Sequence, residues 1–191
     1  DCEGDRGDEK HLEDMRVLVD ESHNQGTLDP SEHEMIHSVF DLQTRAAKEA
    51  MVPRIKIMAL PETATRRELA QLLTQSGQTR VPIYADSIDQ VVGIVNAFDL
   101  IKDTNPEQQD IKRFIRPALH VPDTMKLDDV LKTLRDARQS MAIVADEYGG
   151  TDGLITVEDI LEEIFGEIHD EYDVLTTQIR KVSARAYVVN A

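Results

Sequence analysis

Two short stretches of the chain carry the same polar pair at the same spacing. In GLITVEDILEEI, Thr156 stands three residues before Asp159, and in GIVNAFDLIK, Asn96 stands three residues before Asp99. In both, an apolar run gives way to a helical pattern, so each pair falls at a strand-to-helix junction. Two chemistries use such a pair. The plain one is helix capping: Thr or Asn accepts a hydrogen bond from a first-turn N–H, and an acid there favours the helix dipole. The other is ligand binding. A hydroxyl and the unpaired N–H groups of a helix N-terminus can hold phosphate. A carboxylate one turn on can accept both hydroxyls of a ribose, and the apolar strand residues before it can sandwich a base. Those are the parts of an adenosine site, and they need no catalytic group. Gly93 and Gly153, each three residues before the polar pair, let something approach the strand closely.

The elements that must position these pairs repeat. Arg80–Ile101 (RVPIYADSIDQVVGIVNAFDLI) lies over Ser140–Leu161 (SMAIVADEYGGTDGLITVEDIL) at an offset of 60 without gaps. Ile83 then matches Ile143, Ala85 matches Ala145, Asp86 matches Asp146, Gly93 matches Gly153 and Asp99 matches Asp159. Upstream, Leu60–Leu73 lies over Val121–Leu134 at an offset of 61, one extra residue falling near Gly77. Each copy opens with an extended segment, IKIMALP (Ile55–Pro61) or ALHVP (Ala118–Pro122). An amphipathic helix follows, with Leu69, Leu72 and Leu73, or Leu127, Val130, Leu131 and Leu134, at helical spacing. Pro61 and Pro122 precede these helices, with Thr63 and Thr124 as expected N-caps. Two strands come next, joined by ADSIDQ or by DEYGGTD, whose Gly-Gly favours a tight turn. A short helix closes each copy. The order is β-α-β-β-α, twice, an α/β (α+β) fold with pseudo-twofold symmetry.

Ahead of the repeats, HLEDMRVLVDESH places Leu12, Met15, Leu18 and Val19 on one helix face. A second helix restarts after Asp29, with Pro30 suited to its first turn and a stripe of Met35, Ile36, Val39, Phe40 and Leu42. Beyond Ile168, HDEYD reads as a charged hinge, and VLTTQIRKVSARAYVVNA alternates like one or two strands. That ending predicts a cut inside or beside a further domain.

Composition narrows the function. The 191 residues are 40% hydrophobic and 30% charged, with 4% aromatic residues and no tryptophan, which is a globular balance. A net charge of −16 argues against a nucleic-acid surface, because phosphate binding needs clustered Lys and Arg. Cys2 is the single cysteine, so no intrachain disulfide and no cysteine zinc site is available, and a reducing compartment is expected. No apolar run approaches the roughly 20 residues of a membrane span. The patterns of P-loops, nucleophile elbows and zinc proteases are missing, so no enzyme is expected and no catalytic residue is assigned. Glu158, Glu162, Glu163 and Glu167 read as a solvated helix face. Among the six histidines, His33 and His37 are the one helical i, i+4 pair and read as surface; no metal ligand is assigned.

Two β-α-β-β-α copies, each closing on Gly, two apolar residues, Thr or Asn, and Asp three residues later, resemble a tandem pair of CBS (cystathionine-β-synthase) domains. The wording of MVPR (Met51–Arg54), SGQTRVPIY (Ser76–Tyr84) and MAIVADEYGGTDGLITVEDILEEIFGEIHDEYD (Met141–Asp173) resembles the CorC/HlyC family of magnesium and cobalt efflux proteins, related to the animal CNNM proteins. The resemblance implies an acidic helical lead-in at 1–47, CBS domains at 48–108 and 109–169, and a hinge with the start of a transporter-associated domain at 170–191. It also implies a cytoplasmic module at the inner face of the inner membrane. Such a module binds adenine nucleotide, pairs with a second copy through its closing helices, and serves a membrane transport domain in the same chain or a separate transporter.

In such pairs each cleft joins the first strands of one copy to the closing motif of the other. The resemblance thus assigns one cleft to Arg54, Ile55, Ile57, Thr79, Arg80, Val81, Pro82, Leu154, Ile155, Thr156 and Asp159. Asp159 would hold the ribose, Thr156 and Thr79 would reach the phosphates, and Arg80 or Arg54 would neutralise them. Ile57, Val81 and Ile155 would pack the adenine. The fixed fork of an arginine suits phosphate. A second cleft would combine His120, Met141 and Ala142 with Asn96 and Asp99; there Asn96 replaces the hydroxyl and Ser140 the arginine, so one occupied site is expected. ATP is the expected ligand, with Mg2+ arriving on its phosphates. Two alternatives stay open: a dimerisation scaffold whose motifs only cap helices, and a stand-alone sensor of AMP or another adenosine ligand.

Overall fold

A computed structural model describes residues 4–103, 109–166, 180–183 and 186–188. Cys2, His169 and the HDEYD hinge lie outside them. The lead-in is a helical hairpin, α1 (Gly4–Asn24) and α2 (Pro30–Asp41). Its second helix starts as the sequence dictates. Pro30 occupies the first turn, and Asp29 and Glu32 close a reciprocal capping box, each side chain accepting from the other's backbone N–H at 2.9 and 3.0 Å. The apolar stripe of α1 is not buried, since Met15 and Leu18 face solvent. A single turn, α3 (Ala47–Ala50), leads into the first copy.

Copy one runs β1 (Val52–Pro53), a 3-10 turn at Arg54–Lys56, β2 (Leu60–Pro61), α4 (Arg66–Ser76), β3 (Arg80–Tyr84), β4 (Val91–Asn96) and α5 (Ala97–Lys102). Copy two runs through a 3-10 turn at Lys112–Phe114, β5 (Leu119–Pro122), α6 (Leu127–Asp136), β6 (Met141–Ala145), β7 (Thr151–Thr156) and α7 (Val157–Phe165). The strands β2 and β3 pair parallel and β3 and β4 antiparallel; β5, β6 and β7 repeat that pattern. Two further strands, β8 (Arg180–Ser183) and β9 (Ala186–Val188), form an antiparallel pair of their own. The expected twofold arrangement of β-α-β-β-α units is what the chain forms.

The copies are joined by exchange. The strand β1 leaves copy one to extend the sheet of copy two, with Val52 opposite Leu154 and Pro53 opposite Gly153. Reciprocally, Arg116, on the way into copy two, bridges Ile94 of β4. Caps are exchanged as well. The N–H groups of Leu127 and Asp128 donate to the carbonyls of Arg45 and Leu42 at 3.1 and 3.3 Å, and Arg66 N–H donates to the Gln109 carbonyl at 2.9 Å. Thr63 and Thr124 are not the caps. The box at α4 is Thr65 with Glu68, and α6 starts from Lys126 with no side-chain cap because a neighbouring segment supplies the acceptors. Hydrogen bonds from Thr65, backbone first and hydroxyl second, hold the Glu68 carboxyl below its ordinary value.

Each copy has its own core. Leu69, Val81, Ile83 and Val95 anchor the first; Leu127, Val130, Leu134, Val144, Ile155 and Ile160 anchor the second, joined by Leu42 and Ala47 of the lead-in. Val91, Ile94, Met141, Ile143 and Leu154 make a third cluster from strands of both copies. Arg45 hydrogen-bonds Glu163 and so ties the lead-in to α7; that bond raises the arginine above its ordinary value.

Candidate nucleotide cleft

The exchange of β1 leaves a hollow between the two copies. A cavity of about 310 Å3 opens there, lined by Val52, Lys56, Ile57 and Met58, by Gly77, Gln78, Thr79 and Arg80, and by Met141, Leu154, Thr156, Glu158 and Asp159. Its volume is that of a small-ligand site. One wall is apolar, from β1, the chain after it, β6 and β7. The opposite side is polar. Gly77 ends α4 in the left-handed region at φ +68°, which turns Gln78–Arg80 toward the start of α7. Arg80 Nη1 lies 3.8 Å from Glu158 Oε1 and 3.4 Å from its neighbour Thr79 Oγ1. Both contacts are loose, so the guanidinium remains available to an anion.

The pair at the start of α7 caps it. Thr156 Oγ1 accepts from Asp159 N–H at 3.1 Å, while Asp159 Oδ2 accepts from both the N–H and the hydroxyl of Thr156 at 2.7 Å. Capping and binding do not exclude each other here. The box uses Oδ2, and Asp159 also lines the cavity. The polar wall carries two cations, Lys56 and Arg80, against two acids, Glu158 and Asp159.

Of the residues assigned to this cleft from sequence, Ile57, Thr79, Arg80, Leu154, Thr156 and Asp159 come together around the cavity. The others do not. Arg54 grips Asp89 with both guanidinium nitrogens, at 2.5 and 2.8 Å, and Ile55 is 92% exposed. Val81 and Ile155 are fully buried in the two cores, and Pro82 is buried opposite Ile94. The apolar lining of the cavity comes instead from Val52, Ile57, Met58, Met141 and Leu154. Lys56 and Gln78 line the cavity without having been assigned to it, and Glu158, expected on a solvated helix face, lines it too; all three are direct neighbours of assigned residues, and that adjacency was the available signal.

The second junction differs. Asn96 Oδ1 accepts from Phe98 N–H at 2.9 Å, a shorter cap than the box at Thr156. Asp99 does not reach back to it; its Oδ1 accepts from Arg116 at 2.7 Å, and its Oδ2 is buried with no hydrogen-bond partner among the described residues. The cavity at Asp99, about 350 Å3, is lined by Lys102, Asp103, Arg113, Phe114 and Arg116. His120 is exposed on β5, Ala142 is buried in the core of copy two, and Met141 lines the first cavity instead. Met141 crosses over because β6 lies beside β7, whose end carries Leu154 and Thr156.

Gly93 and Gly153 admit the chain itself. A Cβ on Gly153 would stand 2.5 Å from Met51 Sδ and 2.6 Å from the Val52 carbonyl oxygen; on Gly93 it would stand 2.4 Å from the Arg116 carbonyl oxygen. The close approach expected of a ligand is made by the exchanged segments.

The CBS-domain profile matches residues 47–104 and 110–166. Among curated proteins, the magnesium and cobalt efflux protein CorC of Pasteurella multocida is 33% identical over 189 residues, covering 97% of this chain and 63% of that protein. The chain spans about two fifths of the length of several UPF0053 relatives. Among solved structures, the CBS domain of a bacterial CNNM/CorC family Mg2+ transporter superposes with a TM-score of 0.79 at 37% identity, covering 83% of this chain and 98% of that one. A structure of such a domain in complex with ATP gives a TM-score of 0.70 at 40% identity, covering 73% of this chain and all of that one. The chain therefore belongs to the CBS-domain family, as a tandem pair similar to the CBS region of CNNM/CorC magnesium transporters.

Proposed function

We propose that this chain is a regulatory CBS pair that binds ATP with Mg2+ in the cleft at Thr156 and Asp159, and thereby controls a divalent-cation transport domain at the cytoplasmic face of the membrane. The observation that carries the reading is the convergence of an apolar wall from both copies with Thr79, Arg80, Thr156 and Asp159 on one cavity. In this reading Asp159 accepts from ribose hydroxyls, the N-terminus of α7 and the Thr79–Arg80 turn hold phosphates, and Ile57, Met58 and Leu154 pack a base. The near-balanced charge of the polar wall supports a role for magnesium. With two acids facing two cations, a triphosphate needs a counter-ion, and a small hard cation bound through phosphate oxygens supplies it.

The cleft holds and orients a nucleotide, and the protein is read as a sensor rather than an enzyme. Control requires that ATP bind one arrangement of the pair more tightly than another. A homodimer through the closing helices is part of the reading: Phe98 and Ile101 on α5 are 57% and 76% exposed, and Leu161 and Phe165 on α7 are exposed as well.

The dimerisation scaffold stays as the second reading, favoured by the closed capping box at α7. Calorimetric titration of the chain with ATP, ADP and AMP, each with and without Mg2+, tests both. Saturable ATP binding that Mg2+ tightens is the expected result. No heat from any of the three nucleotides with a folded dimer overturns the sensor and leaves the scaffold. Preference for AMP would leave a binding module with a different ligand.

A further inference from the structure

The α1–α2 hairpin carries a cluster that nucleotide binding does not use. His33 and His37, one turn apart on α2, both aim Nε2 at Asp20 Oδ1 on α1, at 2.7 and 2.8 Å. The three ligand atoms lie within 4.8 Å of one another. His23, one turn beyond Asp20, stacks on His33 with ring centroids 4.5 Å apart, and its Nδ1 is held 3.1 Å from the Leu28 carbonyl oxygen. The group is half-buried, with His33 and His37 side chains 27% and 24% exposed and Asp20 52% exposed, so an ion reaches it from solvent.

We propose that Asp20, His33 and His37 bind a borderline divalent transition-metal ion such as Zn2+, which clamps α1 to α2. The donor set decides the class of ion. Two imidazoles and one carboxylate suit Zn2+, Co2+ or Ni2+, whereas Mg2+ and Ca2+ take oxygen ligands. The geometry is close. A tetrahedral ion with ligands at about 2.0–2.1 Å separates ligand atoms by about 3.3 Å, so each imidazole nitrogen needs to draw away from the Asp20 oxygen by about 0.5 Å. Without an ion, each imidazole donates from Nε2, and these hydrogen bonds, His33 first and His37 second, hold the Asp20 carboxyl below its ordinary value. On binding, each imidazole proton moves from Nε2 to Nδ1 and the ion takes its place. Arg16 Nη1, 3.4 Å from His37 Nδ1, then turns to Asp41, which already holds Arg16 Nη2 at 2.7 Å. The stacked His23 and the Leu28 carbonyl keep the neighbouring rings in place, as outer partners do at metal sites. Water completes the coordination. This inference stands apart from nucleotide binding.

The test is titration of the tag-free chain with ZnCl2, with Co2+ absorption as a spectroscopic readout. The expected result is one Zn2+ per chain and the visible bands of tetrahedral Co2+. Both should be lost in a His33→Asn/His37→Asn double variant and weakened at least about tenfold in Asp20→Asn. Asp20→Asn keeps a carbonyl acceptor for both imidazoles, so the hairpin remains paired while the ligand charge is removed. Glu162→Gln, on the acidic face of α7, should leave binding unchanged. Absence of saturable binding overturns the proposal, as does Zn2+ binding that persists unaltered in Asp20→Asn and in the double variant.

Discussion

The two strand-to-helix junctions share a spacing and differ in almost everything that spacing was taken to mean. At Thr156 the hydroxyl and the carboxylate of Asp159 close on each other, and the pair borders a cavity with a loosely held arginine, Arg80. At Asn96 the amide caps alone, and Asp99 is taken by Arg116. Arg116 lies on the connection into copy two, where it bridges Ile94, so the segment that joins the copies also occupies the carboxylate that borders the second cavity. In the first cleft the corresponding connection places Ile55 in solvent and leaves the carboxylate facing the cavity. A duplicated fold thus holds two equivalent places, and the side chains entering each decide which one can accept a ligand.

The comparison can be broken most forcefully at the glycines. Gly153→Ala and Gly93→Ala each drive a Cβ into a backbone carbonyl oxygen that cannot swing away. Each should cost about 3 kcal/mol of stability, seen as a lower denaturant midpoint. Because both glycines seat exchanged segments, the two losses should be alike; a loss at Gly153 alone would mean that the segment at Arg116 is not held.

Arg80→Ala should weaken ATP binding by about 2 kcal/mol, or about thirtyfold, through loss of a charged hydrogen bond. Arg54→Ala should leave affinity within about twofold, since Arg54 is occupied by Asp89. Comparable losses in titrations of both variants would return Arg54 to the phosphate site.

A smaller effect separates the caps. Thr156→Ala and Asn96→Ala should each lower stability by about 1 kcal/mol, read from denaturant unfolding. ATP affinity should fall with the first substitution and hold with the second. The smallest expected effect is a gain. Arg116→Ala frees Asp99, and together with Ser140→Arg it restores a carboxylate and a phosphate-binding arginine to the second cleft. A weak second nucleotide-binding step should then appear in titrations of the double variant. Its absence would mean that the missing hydroxyl at Asn96 matters more than Arg116.

Periodicity and self-alignment were enough for the duplicated unit, because strands and helices declare themselves locally and a repeat doubles each signal. The restart of a helix after Asp29, with Pro30 in its first turn, was legible for the same reason. The start of α6 was not, since Arg45 and Leu42 supply acceptors from a distant part of the chain, while the cap of α4, Thr65 with Glu68, lies two residues beyond the expected Thr63. Of the residues assigned by position in the motif, Thr79, Arg80, Thr156 and Asp159 do line one cavity. Val81 and Ile155 lie in the cores instead, because alternate residues on a strand face opposite sides and both of these face inward. Met141 borders the first cavity because its partner across the β6–β7 hairpin is Thr156, a register that the turn alone did not give. The His33–His37 pair was visible by spacing; its third ligand, Asp20, comes from another helix and needs the hairpin to reveal it.

One cleft of the pair is proposed as the nucleotide site, whereas the carboxylate of the other is held by Arg116. Calorimetric titration with Mg2+ and ATP, run in parallel on the unaltered chain, Asp159→Ala and Asp99→Ala, tests it most directly. The account predicts one site per chain, lost in Asp159→Ala and kept in Asp99→Ala. Binding that survives Asp159→Ala, or disappears with Asp99→Ala in a folded protein, would contradict it.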